Sequence, residues 1–167
     1  IETFEELELF TGLTDIGADY YYQTSGFMGC ANLRRVKLPP SVKTLKNNAF
    51  KNCTSLESVV LPDILTTISS FAFFGCDKLT EINIPTSVTV IGGRQYGGGA
   101  FEGCTSLIIE DLYLPNLTSI GRYTFYGVKV KKISSLGMIT ELTGAANYLS
   151  AFMRNTELTS VVLPDTL

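Results

Sequence analysis

The sequence contains no histidine, so it lacks the residue that proteins use most often as a general base and metal ligand. Its 13 basic and 16 acidic residues give a net charge of −3, which provides no field for nucleic acid or anionic lipid. No apolar run approaches the ~18–20 residues that a membrane helix needs. The composition therefore predicts a chain that binds no nucleic acid and does not insert this segment into a membrane.

Catalytic and cofactor motifs are also missing. Without histidine, a serine or cysteine nucleophile would need a lysine base, and no spacing in the chain suggests one. The four cysteines contain no C-x-x-C pair, so zinc has no support from their spacing. The glycine-rich stretch 92–99 lacks the Gly-Lys-Ser/Thr ending of a phosphate-binding loop. We predict a protein that is not an enzyme and has no cofactor and no metal site.

What the chain does have is one unit repeated along its length. A copy begins with phenylalanine, has cysteine three residues later and leucine three after that, and ends on a Leu-Pro or Ile-Pro corner. The copies occupy residues 27–39, 50–62, 73–85, 101–115 and, with asparagine for cysteine, 152–164. Because a unit of ~23 residues cannot bury its apolar side alone, the units must stack. Residues 1–167 are predicted to form a single array of about six units that begins and ends within a unit.

Each unit predicts two short strands separated by a corner. In residues 56–61, Leu-x-x-Val-x-Leu alternates as a strand with one buried face does, and Pro62 ends that strand. Residues 65–68, Leu-x-x-Ile, form the second extended piece. The Ala-Phe-x-x-Cys piece that opens each unit is too short for a full helix and predicts one tight turn.

Two segments depart from the repeat, and each leads to a separate structural prediction. Residues 4–16 form half a unit in which Phe10 stands where proline usually does. The unit that follows Phe101 has two extra residues in its first strand. We interpret them as a bulge that places Glu110 and Asp111 in water.

The cysteines follow the repeat, with spacings of 23, 23 and 28 residues between Cys30, Cys53, Cys76 and Cys104. In a stack they form an inward column of small apolar residues, and Val128 occupies the same position in a later unit. Valine can replace cysteine in packing but not in thiolate chemistry. The Cβ vectors of stacked units run parallel, which is poor geometry for a disulfide. The pattern predicts four buried free thiols.

The full consensus, Leu-x-x-Val-x-Leu-Pro-x-x-Val-x-x-Ile-x-x-x-Ala-Phe-x-x-Cys-x-x-Leu, resembles the BspA-like (Treponema-type) leucine-rich repeat over essentially the whole chain. The resemblance implies a β-rich, right-handed leucine-rich repeat solenoid. Parallel strands would stack on one side, with short turns or 3-10 segments opposite and few or no long helices. It also implies a bacterial cell-surface or secreted protein that adheres to host or neighbouring proteins.

Three long loops are the predicted binding site. Between the second strand and the next phenylalanine, residues 17–26, 92–100 and 143–151 are about twice as long as the usual connection, and each carries tyrosine. Insertions at one point of a repeat project from one side of a solenoid. Tyrosine offers a large contact area at low entropic cost. The predicted ligand-binding residues are Tyr20, Tyr21, Tyr22, Tyr96, Tyr148 and Arg94.

An alternative site is the outward face of the first strands, around Arg34, Arg35 and Lys37, although its mixed charges are typical of a solvated sheet face. The main functional hypothesis is recognition of a protein partner, host matrix or a neighbouring cell surface. A structural spacer or stalk is one alternative. The other is a carbohydrate-binding accessory region in which the loop tyrosines stack on sugars.

Overall fold

The computed structural model describes residues 2–20, 22–24, 26–92, 98–139 and 149–165. Two short 3-10 segments, Glu5–Leu9 and Leu149–Phe152, accompany the strands. The strands are β1 (Thr3–Phe4), β2 (Asp15–Ile16), β3 (Arg35–Lys37), β4 (Thr44–Leu45), β5 (Ser58–Val60), β6 (Thr67–Ile68), β7 (Glu81–Ile82), β8 (Val90–Ile91), β9 (Ile108–Ile109), β10 (Leu112–Tyr113), β11 (Ser119–Ile120), β12 (Lys129–Val130), β13 (Lys132–Ser135) and β14 (Ser160–Val161). Within the described ranges, no helix has the length and apolar character needed to cross a membrane.

The first strands of the early units form one parallel sheet, and the second strands form another. The first sheet has the order β1-β3-β5-β7, and the second has the order β11-β8-β6-β4-β2. Equivalent positions face each other, so Val36 pairs with Val59 and Val59 pairs with Ile82. The pairing confirms the two-strand unit and the stacked, parallel-stranded repeat fold.

In the later units the first strand is split into two short pieces. β9 pairs with β12, whereas β10 pairs with β13, which pairs in turn with β14. Glu110 and Asp111 lie between β9 and β10 and are exposed, and the register shifts between Leu112 and Tyr113. The predicted bulge is confirmed.

Backbone hydrogen bonds also join the units on the side that carries the phenylalanines. The Phe50 N–H donates to the Ala72 carbonyl, and the Asn52 N–H donates to the Phe74 carbonyl, both at 2.7 Å. The Cys53 N–H donates to the Phe50 carbonyl at 3.1 Å and closes the predicted tight turn. The residue two after each phenylalanine has a positive φ. These residues are Gly29, Asn52, Gly75, Gly103, Gly127 and Arg154.

A column of phenylalanine rings forms the centre of the core. The rings of residues 27, 50, 73, 101, 125 and 152 stack with centroids 5.1–5.4 Å apart and interplanar angles of 2–14°. Phe4 ends this column because its ring meets Phe27 edge-on, at 68° and 6.0 Å. Leucine, isoleucine and valine of both strands surround the rings in one continuous hydrophobic cluster.

The cysteine column is buried at three of its four positions. Cys53, Cys76 and Cys104 are buried, and each Sγ donates to the carbonyl of a phenylalanine in the preceding unit, at 2.9, 3.1 and 3.1 Å. Asn155 takes the same place and donates through Nδ2 to the Phe125 carbonyl at 2.8 Å. All four cysteines are free.

The prediction of burial was wrong for Cys30, which is exposed. Among the described residues before it, Phe4 meets Phe27 edge-on instead of continuing the stack. Consequently no equivalent turn covers the Cys30 thiol.

Thiol titration checks this arrangement. In denaturant without reductant, we expect four reactive thiols. In the native protein at pH 8 we expect one fast thiol, Cys30, because it is exposed whereas the other three thiols are buried and closed to the reagent. Burial also raises the pKa of Cys104 to about 12. The pKa of Cys76 is also raised, by its hydrogen bond with the Cys53 thiol and by burial. Two or no thiols in denaturant would instead mean disulfides, and four fast native thiols would contradict the buried column.

The half-unit at the start follows the repeat at its corner but not in its strand. Phe10 occupies the place of proline, since the Leu13 N–H donates to its carbonyl at 2.9 Å as the Val42 N–H donates to Pro39 at 3.1 Å. The strand, however, is Thr3–Phe4, and Glu5–Leu9 forms a 3-10 segment. Phe4 pairs with Val36, and Ile16 pairs with Leu45. The chain from Phe4 to Ile16 is three residues longer than the chain from Val36 to Leu45, and the 3-10 segment accommodates the extra residues.

Candidate functional site

The first long loop presents a stacked pair of tyrosines. Tyr20 is 56% exposed and Tyr22 is 71% exposed, and their rings are 5.4 Å apart at an interplanar angle of 14°. The next unit anchors the loop, because Lys46 Nζ lies 2.7 Å from Asp19 Oδ1 and Asn47 Nδ2 donates to the Asp19 carbonyl at 3.0 Å. The loop base is therefore held while both rings remain largely exposed.

The other predicted loop residues lie outside the described part of the chain. They are Tyr21, Arg94, Tyr96 and Tyr148. Their place at the same insertion point of the repeat remains a prediction from the sequence.

The alternative strand face is exposed, and its charges are largely paired. Arg34, Arg35 and Lys37 face solvent. Arg34 Nη2 lies 2.6 Å from Glu57 Oε1, and Lys37 Nζ lies 2.6 Å from Glu8 Oε2. The hydrogen bond from Arg34 lowers the pKa of the Glu57 carboxyl. Two of the three cations on this face are therefore neutralised by ion pairs.

The bulge extends the same pattern along the strand side. Lys131 Nζ lies 2.7 Å from Glu110 Oε1, and Lys132 Nζ lies 2.9 Å from Asp111 Oδ2. Hydrogen bonds from Ser134 and Lys132 lower the pKa of Asp111. The two carboxylates that the extra residues introduce thus neutralise the lysines of the next unit.

Two of the clefts near the start of the array adjoin residues discussed above. One, of about 460 Å³, is mainly apolar and is lined by residues including Phe4, Phe27, Cys30 and Leu33. The other, of about 380 Å³, lies beside Arg35 and combines Lys78 with Glu57 and Glu81. Among the residues described by the structure, no group of three or more histidine, cysteine, aspartate or glutamate residues is placed to hold a metal ion.

The turn side carries aromatic residues that the sequence analysis did not single out. Phe71 and Phe74 meet edge to face with centroids 5.5 Å apart, and both are half-buried. Lys51 of the preceding unit places its Nζ 4.5 Å from the Phe71 centroid and 5.4 Å from that of Phe74. At these distances, the ammonium is attracted to the negative faces of the rings.

A second aromatic pair repeats this arrangement two units later. Tyr123 and Tyr126 meet edge to face with centroids 5.7 Å apart. The guanidinium carbon of Arg122 lies 5.2 Å from the Tyr123 ring, and that of Arg154 lies 5.3 Å from the Tyr126 ring. Arg122 also donates through Nη2 to the Tyr123 hydroxyl at 3.3 Å, so each tyrosine contacts one arginine.

Both pairs occupy the same repeat positions, two residues before and one residue after a core phenylalanine. The intervening unit has glycine at the first of these positions and Glu102 at the second, and Glu102 Oε2 accepts from the Gly99 N–H at 3.0 Å. We call this surface the aromatic–cation strip. It consists of Lys51, Phe71, Phe74, Arg122, Tyr123, Tyr126 and Arg154. Reading these two positions in repeat register shows the two aromatic pairs, whereas the cation contacts appear only in the structure.

Comparison with known proteins agrees with the repeat geometry. The sequence profile of the BspA type Leucine rich repeat region matches in six copies, over residues 21–148 and 95–167. The crystal structure of the T. pallidum leucine-rich repeat protein TpLRR is similar, with 27% identity and a TM-score of 0.68. The match covers 89% of this chain and 62% of that one.

A leucine-rich repeat protein from Bacteroides ovatus has the same fold at 20% identity and a TM-score of 0.61. That match covers 92% of this chain and 46% of that one, so the chain spans about half to two thirds of the length of the two solved proteins. A comparison with curated proteins found no match. With six matched copies of the repeat and the stacked strands described above, the chain belongs to the BspA-type leucine-rich repeat family, whose repeats support protein interaction.

Proposed function

We propose that this chain is a non-enzymatic recognition module, at the cell surface or secreted, that adheres to a protein of the host matrix or of a neighbouring cell. The observation that carries the proposal is the stacked, exposed pair of Tyr20 and Tyr22 on an anchored loop. We further propose that residues 1–167 act as a single array, with the three long loops on one side.

The physical support is the exposure of large amphipathic rings on a held scaffold. Solvent-exposed loops usually carry small polar residues, yet Tyr20 and Tyr22 expose more than half of their surface. Stacking limits their freedom before a partner arrives, so less side-chain entropy is lost on binding. The long loop costs little folding free energy, because each doubling of loop length adds only about 0.6 kcal/mol of closure entropy.

Two other functions make different predictions. A carbohydrate-binding region is favoured by the parallel tyrosine rings, which offer flat faces for a sugar, and a glycan screen would detect it. A spacer or stalk would bind neither proteins nor glycans. The strand face around Arg34, Arg35 and Lys37 is the alternative protein site, but the ion pairs of Arg34 and Lys37 make it the weaker candidate.

Replacing the loop tyrosines tests the proposal. We expect the quadruple change Tyr20→Ser, Tyr22→Ser, Tyr96→Ser and Tyr148→Ser to abolish binding to a partner found by screening matrix proteins and glycans. The melting temperature should change by less than about 2 °C, because Tyr20 and Tyr22 are exposed and the long loops are proposed to project from the array. Binding to the immobilised partner measures the affinity, and thermal denaturation measures the melting temperature.

Tyr113→Ser is the matched control, because Tyr113 is an equally exposed tyrosine (55%) on β10. It should bind as the wild type does. Unchanged affinity of the quadruple variant would place the site elsewhere. A large fall in its melting temperature would show that the rings pack against the array.

A further inference from the structure

Three cations of the turn side differ from four cations of the strand side in what they contact. On the strand side, Arg34, Lys37, Lys131 and Lys132 each have a carboxylate within 2.6–2.9 Å. On the turn side, no carboxylate within the described ranges forms an ion pair with Lys51, Arg122 or Arg154. These three cations lie on aromatic rings instead. An aromatic face holds a cation without neutralising its charge.

The residues of the strip also line up along the length of the array. The backbone bonds from Asn52 to Phe74, from Gly75 to Glu102, from Gly103 to Tyr126 and from Gly127 to Met153 align the residues that follow each phenylalanine in one column. Four steps at the spacing of parallel strands, ~4.8 Å, make the column about 20 Å long. That length matches an extended segment of about six residues at ~3.3 Å per residue.

We propose that the aromatic–cation strip binds an extended acidic segment of a partner protein. This inference rests on the proposed function, since it names the chemistry of the protein recognised. Carboxylates of the segment pair with Lys51 and Arg154, and its backbone and methylene groups pack on the rings. Arg122, which is half-buried and donates to the Tyr123 hydroxyl, adds positive charge beside them. Glu102, the one carboxylate among these turn positions, accepts from the Gly99 N–H and lies between the two aromatic pairs. The net charge of the strip is therefore positive although the chain as a whole carries −3.

A labelled peptide with six consecutive glutamates between Gly-Ser ends is the probe. Fluorescence anisotropy should show saturable binding to the wild-type chain at about 20 mM salt and at least about tenfold weaker binding at about 300 mM, because salt screens exposed charges. The double change Lys51→Glu and Arg154→Glu should weaken the low-salt binding by more than about tenfold, because it places two repulsive charges on the column. Tyr126→Leu keeps the apolar volume and removes the ring face, so it should weaken binding about threefold.

Lys43→Glu with Lys78→Glu is the matched control, because both lysines are exposed and Lys78 lies in the cleft beside Arg35 on the strand side. It changes the net charge by the same amount as the strip double variant, and it should bind the glutamate peptide within about twofold of the wild-type affinity. Thermal denaturation shows whether each variant folds. If the strip double variant does not fold, Arg154→Gln, at an exposed residue, is used instead and should weaken binding several-fold.

Three results would overturn the inference. One is no binding of the glutamate peptide to the wild type at low salt. Another is equal weakening by the control and strip variants, which would mean non-specific attraction. The third is binding of a sulphated heparin oligosaccharide without binding of the peptide, which would indicate a glycan site. In each case the loop-tyrosine experiment still decides the proposed function, because its variants leave the strip intact.

Discussion

Replacing Phe50 with alanine is expected to lower the free energy of unfolding by about 3–5 kcal/mol. The ring is fully buried and stacks between Phe27 and Phe73, with centroids 5.1 and 5.3 Å away. Its removal leaves a cavity in the middle of the aromatic column and removes contacts with both neighbouring units. The tight turn that contains Phe50 is held by backbone bonds and cannot collapse to fill the space.

Leu56→Ala should show the same behaviour at about 2–5 kcal/mol, because Leu56 is also fully buried. The control is Lys43→Ala, at an exposed residue, which should change stability by less than about 0.5 kcal/mol. Denaturant midpoints measure all three variants. Equal losses at the three positions would contradict the register of the repeat.

The repeat made most of the core predictable. Each apolar position recurs at the same place of every unit, so Phe50, Leu56, Val59, Leu61 and Ile68 could be assigned inward positions from alternation and spacing alone. All five are buried. In a stacked array one correct unit fixes the others, because equivalent residues lie opposite each other in the parallel ladders.

Sequence reasoning failed where a unit lacks a normal neighbour. Cys30 has the same sequence context as Cys53, yet it is exposed, since the preceding half-unit supplies no equivalent turn. The 3-10 segment Glu5–Leu9 arose for a related reason, because extra residues must be accommodated before the corner at Phe10. Periodicity describes a unit between two regular neighbours and does not describe one that packs against an irregular segment such as Glu5–Leu9.

The aromatic–cation strip was missed for a different reason. Its residues are not periodic, because Phe71 and Tyr123 share a repeat position with Asn48 and Gly99. The interaction forms only when the left-handed conformation of the turn, with φ of 59° at Phe71 and 55° at Tyr123, brings this ring beside the next one. Composition identified the loop tyrosines, whereas the strip requires the turn geometry.

The second large effect is expected at the corner that follows β13. Gly137→Ala should lower the free energy of unfolding by about 3 kcal/mol or more. Gly137 has a φ of +65°, which costs an alanine about 1 kcal/mol or more. An added Cβ would also overlap the backbone nitrogen and carbonyl oxygen of Leu117 and lie 3.0 Å from the Leu114 carbonyl oxygen. Backbone atoms of a buried neighbouring unit cannot move aside as a flexible side chain can, so overpacking adds to the conformational cost.

Gly127→Ala separates these two costs, because Gly127 has a similar φ of +74° but an added Cβ would meet no atom within 4 Å. It should cost only about 1 kcal/mol. Asn52 and Arg154 support this value, since they adopt φ of 58° and 62° at the same repeat position without glycine. Denaturant melts of both variants measure the difference. Similar losses for Gly137→Ala and Gly127→Ala would show that conformation alone sets the cost and that the Leu117 backbone yields to the added methyl group.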